Sequence, residues 1–216
     1  RQPVAAKKIE RRDIGEDVAV TPAGRELPIT YAIVEADSLV ASQRDEGGSN
    51  PDYPAELQPR DRDRAASLAQ INSIAQKLNP RLLDKTPRAS GGAPIVSDDG
   101  VVESGNGRVL GIRRAYSENL PPAAAYREHL AAQGYPVEGM NRPVLVRVRK
   151  GALSPEERQA FTREANERGS LGMSGTERAM TDAKAMNDDL LARYRGGDVD
   201  EAGNRDFVRG FMKAVV

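Results

Sequence analysis

The chain has 216 residues, enough for one generous domain or a domain with a helical appendage, and it can bury a core without disulfide staples. Lysine plus arginine equals aspartate plus glutamate at 32 each, so the formal net charge is zero and any contact with nucleic acid has to be local. The absence of cysteine excludes a disulfide framework, a thiolate zinc site and a cysteine nucleophile, and no apolar run is long enough to span a membrane.

With only 4% aromatic residues, the core has to be built from Val, Ile, Leu, Ala and Met. The opening residues 1–28 are polar and charged and are expected to form an arm. Tyr31-Ala32-Ile33-Val34-Glu35 reads as a first strand. Residues 44–64 are rich in Pro, Gly, Asp and Arg and read as a long functional loop or a partly ordered segment. Residues 65–78 are expected to be a helix, because Leu68, Ile71, Ala75 and Leu78 recur at helical spacing before Pro80 ends it. Ala93-Pro94-Ile95-Val96 is a short strand, Asp98-Asp99-Gly100 a hairpin turn and Val101-Val102-Glu103 the return strand. Helices follow over residues 108–116 and 123–133.

Residues 144–149 form the clearest strand, with Val144, Val146 and Val148 on one face. Ser154-Pro155-Glu156-Glu157 opens a helix with Ser at the cap, Pro at the first position and Glu closing a capping box. Ser174-Gly175-Thr176-Glu177 repeats that logic, Gly196-Gly197-Asp198 reads as a linker, and Phe207, Val208, Phe211, Met212 and Val215 share one face of a last helix. Mixed strands and helices therefore come first and helices alone afterwards, an α/β (α+β) class with a helical part over residues 171–216. The chain opens on Arg1 and closes on Val215-Val216, and both ends are expected to be cuts from a longer intracellular protein.

Three segments carry candidate chemistry. In Glu103-Ser104-Gly105-Asn106-Gly107-Arg108, two glycines between a strand and a helix allow close backbone approach and positive φ, and the first helical amides favour an anion that Arg108 could fork. The same residues also suit a tight turn whose arginine pairs with an acidic neighbour, and the sequence alone favours neither. The glycine spacing fits neither the dinucleotide fingerprint nor a phosphate loop. In Gln58-Pro59-Arg60-Asp61-Arg62-Asp63-Arg64, alternating signs suit a solvated loop, or an arginine such as Arg60 turned towards a phosphate. In Arg163-Glu164-Ala165-Asn166-Glu167-Arg168, Glu164 and Arg168 are helical neighbours, and Asn166 could cap the helix. His129, the single histidine, has no catalytic partner in sequence and reads as a structural or surface residue.

The order of these segments resembles the ParB/sulfiredoxin superfamily, and most closely its ddrB-like branch, found in large multidomain proteins of phages and conjugative elements. The matching residues are Gln58-Pro59-Arg60, the helix at 65–78, Pro94-Ile95-Val96, Gly105-Asn106-Gly107-Arg108, Pro143-Val144-Leu145-Val146 and Glu164-Ala165-Asn166, spread over roughly residues 29–182 with the α/β domain itself at 29–170. The resemblance implies a pocket formed by Gly105, Asn106, Gly107 and Arg108 with Gln58, Arg60 and Asn166 on a nucleotide. Glu103 or Glu164 would position magnesium or the nucleophile. It implies CTP or ATP with Mg2+ as cofactor, hydrolysis or phosphate transfer as chemistry, and a bacterial cytoplasm as the setting. Other domains of the same polypeptide are the implied partners, with DNA a weak partner and membranes none. A DNA-binding or nuclease-like module and a non-catalytic scaffold are the rival readings. Asn106 stands where sulfiredoxin has cysteine, which removes that chemistry. Gly107 replaces the first arginine of the ParB Gly-Glu-Arg-Arg turn. An extra residue separates Glu164 from Asn166, and Arg168 falls one place short of the ParB box.

Overall fold

A computed structural model describes residues 8–57, 64–166, 188–198 and 201–215. Gln58, Arg60 and the second capping segment at 174–177 lie outside the described residues. The chain divides into two compact units, Arg1–Arg168 and Gly169–Val216.

The first unit is built on a five-stranded mixed sheet in the order β1-β2-β5-β3-β4. β1 (Arg12–Val20) and β2 (Glu26–Glu35) form an antiparallel hairpin, and β5 (Pro143–Arg149) runs antiparallel to β2. β3 (Ile95–Val96) is parallel to β5, and β4 (Val102–Ser104) returns antiparallel beside it through the expected turn at Gly100. The α/β class and the strands at 95–96, 102–104 and 143–149 agree with the sequence reading.

Residues 12–20 are the main departure, for the expected arm contains a full strand. Its register runs from Arg12 opposite Ile33 to Val20 opposite Glu26. Two features conceal it: most of its side chains are exposed, and a bulge between Asp13 and Gly15 breaks the period of two.

Helix α1 (Arg64–Gln76) packs on α2 (Asn106–Ser117) across a smooth stripe. A Cβ at Gly111 would lie 2.4 Å from Ile74 Cγ2, and one at Gly107 would lie 3.4 Å from Ile74 Cδ1. Gly107 is therefore a helix-packing position. Helix α4 (Pro155–Asn166) opens with the predicted box: Ser154 N–H donates to Glu157 at 2.8 Å and Glu157 N–H to Ser154 Oγ at 3.2 Å.

β5 is buried along its whole length, so the face opposite its valines carries Leu145, Arg147 and Arg149 into the interior. β3 is too short to receive the Leu145 amide. Tyr126 of α3 (Pro121–Ala132), which is fully buried, accepts it instead at 3.1 Å. Tyr126→Phe should leave that N–H unpaired in the core and destabilise the domain by about 1–3 kcal/mol, measurable by urea unfolding.

In the second unit, α5 (Asp188–Leu191) and α6 (Arg205–Val215) flank a turn closed by Asn204. Its buried amide accepts from Arg195 N–H at 2.8 Å and donates to the carbonyls of Gly196 at 3.0 Å and Asp198 at 2.9 Å. The segment read as a linker is thus an ordered turn. Phe207 packs against Tyr194 and Phe211. Among the described residues, no helix is long and apolar enough to cross a membrane.

Candidate functional site

β4 enters α2 through Gly105, whose φ of 92° and ψ of 28° lie in the left-handed region that only glycine adopts without strain. No side chain caps α2 at this point. The close approach that Gly105 permits is made by Arg108 itself: a Cβ at Gly105 would sit 2.7 Å from Arg108 Nε. The guanidinium folds back over its own turn, donating to the Gly92 carbonyl and, at 3.3 Å, to Ser104 Oγ. Its partners are neutral oxygens, and the acidic neighbour that sequence alone allowed is not among the described ion pairs. Burial first, and then the nearby Arg147, pulls the Arg108 guanidinium down to about 10.

Asn106 turns away from the turn and anchors an earlier segment. Its Oδ1 accepts from Ser42 N–H at 2.7 Å, and its Nδ2 donates to the Val102 carbonyl at 3.3 Å. Gln58 and Arg60 follow Leu57, which is buried with Tyr53 and Val101.

Two carboxylates were offered by sequence for catalysis. Glu103 is fully buried, and both of its oxygens are engaged. Arg149 donates to them at 2.8 and 3.0 Å, and Arg158 of α4 donates at 2.6 Å. It acts as the junction between β4, β5 and α4. Glu164 accepts from Arg25 at 3.0 Å and from Thr21 Oγ1 at 3.2 Å, which fastens α4 to the β1–β2 turn. Asn166 donates to the Glu103 carbonyl at 2.8 Å and to the Thr162 carbonyl at 2.6 Å.

Two contributors escaped the sequence reading. The first is the loop at residues 86–93, joined to the β1–β2 hairpin by Val20 N–H on Pro87 O at 2.6 Å and Ala89 N–H on Val20 O at 2.8 Å. Ser104 Oγ binds the loop at Ala89 O, at 3.0 Å, and the end of α4 at Ala165 O, at 3.2 Å. The second is Arg147, fully buried behind that loop; burial pulls it down to about 10, offset in part by Tyr31 and Asp17. Its sequence signal was an arginine flanked by valines in a largely apolar strand. The β1–β2 turn, the 86–93 loop, the 104–108 turn and the end of α4 therefore meet at one end of the sheet.

These residues do not fit a resident magnesium ion. Glu103 has both oxygens on arginines, Glu164 is held by Arg25 and Thr21, and no group of three or more potential ligands that could hold a metal occurs among the described residues. His129 has gained a partner, with Nε2 at 2.7 Å from Asp84, which Tyr135 also contacts at 3.3 Å. A cavity of about 670 Å³ lies elsewhere, lined by Lys8, Arg11, Arg12, Glu10, Glu35 and Met140 among others. It contains no residue of the turn, and its walls mix both signs of charge, so the 105–108 corner is the stronger candidate for an anion.

A small mixed sheet whose last strand passes through a left-handed glycine into a helix is the plan expected of the ParB/sulfiredoxin class. The chain belongs to the ddrB-like ParB superfamily domain family, whose model matches residues 22–150. No curated protein and no solved structure matches it. The matched span includes the 105–108 turn and the 86–93 loop but stops before α4, so Glu164 and Asn166 lie beyond it.

Proposed function

We propose that this domain binds the phosphates of a nucleotide at the 105–108 turn. One observation carries the reading: Arg108 stands in the first turn of an uncapped helix, Arg147 lies behind the 86–93 loop that Arg108 also touches, and neither has a carboxylate within 4 Å among the described residues. Charge left without a counter-ion, beside amides at the positive end of a helix, is completed by an anion. Arg108 and the first amides of α2 would take the phosphates. Gly105 leaves room for the Arg108 guanidinium that would meet them, and Asn106 and Gly107 hold the turn and helix in place. Gln58 and Arg60 are proposed to approach from the preceding segment, with Asn166 behind the turn.

A nucleoside triphosphate, CTP or ATP, is the ligand that the family resemblance favours. Binding is better supported than hydrolysis, because Glu103 and Glu164 are both held in ion pairs. The role fits a domain of a larger phage or mobile-element protein acting in a DNA-related process.

Thermal shift with CTP, ATP and ADP, each with and without magnesium, tests it. A ligand at a hundred times its dissociation constant stabilises by about 2.7 kcal/mol, roughly 5–11 °C for a chain of this size. Duplex DNA should bind only weakly at physiological salt, since the chain has no net positive charge with which to release counter-ions. Absence of any nucleotide shift together with sub-micromolar DNA binding would replace this reading with the DNA-binding one.

A further inference from the structure

Arg147 sits between Val146 and Val148 in β5, and none of its surface reaches solvent. A guanidinium has five N–H donors in one plane and no acceptor. Here they face the carbonyls of a single loop. Nε donates to Ala93 at 2.8 Å, and Nη1 donates to Thr86 at 3.0 Å and to Arg88 at 2.8 Å. Nη2 donates to Gly91 and, at 3.5 Å, to Ala89. Residues 86–93 form no helix or strand; the carbonyls of Thr86, Ala89 and Arg88 also accept from Tyr31, Ser104 and the Gly91 N–H, and Arg147 reaches all five. The loop is moulded around the arginine.

That shape matters at one atom. The carbonyl of Gly92 receives Arg108 Nη1 and so sets where that guanidinium stands over Gly105. Gly92 has a φ of 63°, and a Cβ there would meet Thr86 Cγ2 at 2.1 Å. Gly91, its neighbour, has open space around it.

We infer that Arg147 is a positioning residue of the anion site, holding the 86–93 loop as its wall and favouring a polyphosphate chain over a single phosphate. The inference rests on the phosphate-binding reading above. Arg147 places a permanent charge behind the loop with carbonyls in place of a carboxylate, so the corner holds two cations rather than one. A ligand carrying more negative charge gains from both. The planar fork explains why this position suits arginine, since lysine would bring the charge but only three donors to five carbonyls.

The test is calorimetric titration of the whole chain with phosphate, pyrophosphate and tripolyphosphate. Wild type should bind tripolyphosphate at least about tenfold more tightly than phosphate. Arg147→Met should flatten that preference. Arg147→Lys should keep the preference while weakening all three ligands by about tenfold, because the charge stays and the loop loosens. Gly92→Ala, which keeps both arginines but disturbs the carbonyl that places Arg108, should weaken all three, and Gly91→Ala should behave as wild type.

Hydrogen exchange on wild type needs no variant to fold: the loop amides should slow more with tripolyphosphate than with phosphate, and equal protection overturns the inference. If Arg147→Lys and Gly92→Ala titrate as wild type while Arg108→Ala has lost binding, Arg147 has no positioning role and the phosphate reading stands. If wild type binds none of the three, the phosphate reading falls and takes this inference with it.

Discussion

Replacing Arg108 with alanine should weaken nucleotide binding by about ten- to a hundred-fold, the worth of one charged hydrogen bond of roughly 1.5–3 kcal/mol. Lysine at the same place keeps the charge and loses the fork, so it should fall between alanine and wild type. The fold should survive both changes. Arg108 donates to one carbonyl and one hydroxyl, and its removal leaves no carboxylate unpaired. The lost hydrogen bonds are offset by relief of a charge that burial and Arg147 disfavour, so the ligand-free stability should move by no more than about 1 kcal/mol. Isothermal titration of the three proteins, after circular dichroism has confirmed their folding, decides the matter. Equal affinities would remove Arg108 from the site. Unfolding of the alanine variant would make its bonds to Gly92 and Ser104 structural first.

Glu103→Gln should produce the opposite pattern, a large loss of stability. The glutamine keeps the shape but withdraws the negative charge shared by Arg149 and Arg158, which lie 2.8 and 2.6 Å away. Breaking a buried pair from one side leaves uncompensated charge in the interior and costs about 3–5 kcal/mol. That is a large share of the 5–15 kcal/mol typical of a whole domain, and roughly 6–20 °C in midpoint. Thermal unfolding of the variant measures it directly. A Glu103 that served chemistry alone would give a glutamine variant with an unchanged midpoint and no turnover.

The central part of the fold was legible because its signals are local. Val144, Val146 and Val148 alternate, Ser154 and Glu157 close their box, and Gly100 makes its turn where a hairpin was expected. Gly105 was legible too, since a glycine between strand and helix has few other uses.

What stayed hidden depends on distant partners. Nothing in the string shows that Glu103 meets Arg149, 46 residues on, or that residues 86–93 wrap a side chain from another strand. Alternation at 144–149 put Val144, Val146 and Val148 on one face but gave no sign that the second face, with Arg147, is buried as well. Gly107 suggested ligand access and instead faces Ile74. A glycine that admits a neighbouring helix and one that admits a phosphate are the same letter.

The outer strand β1 closes one edge of the sheet. β2 is buried from Ile29 to Ile33 apart from no more than a few per cent of any side chain, and β1 covers its open side throughout. β1's own free margin carries exposed Asp13, Glu16 and Asp17 and a bulge, devices that stop a strand from recruiting another chain. The family match begins at residue 22, after β1 has ended. A polypeptide trimmed to that start would present Ile-Thr-Tyr-Ala-Ile-Val as a bare edge and would aggregate. The polarity that made residues 12–20 look like an arm is the property that keeps the sheet from growing.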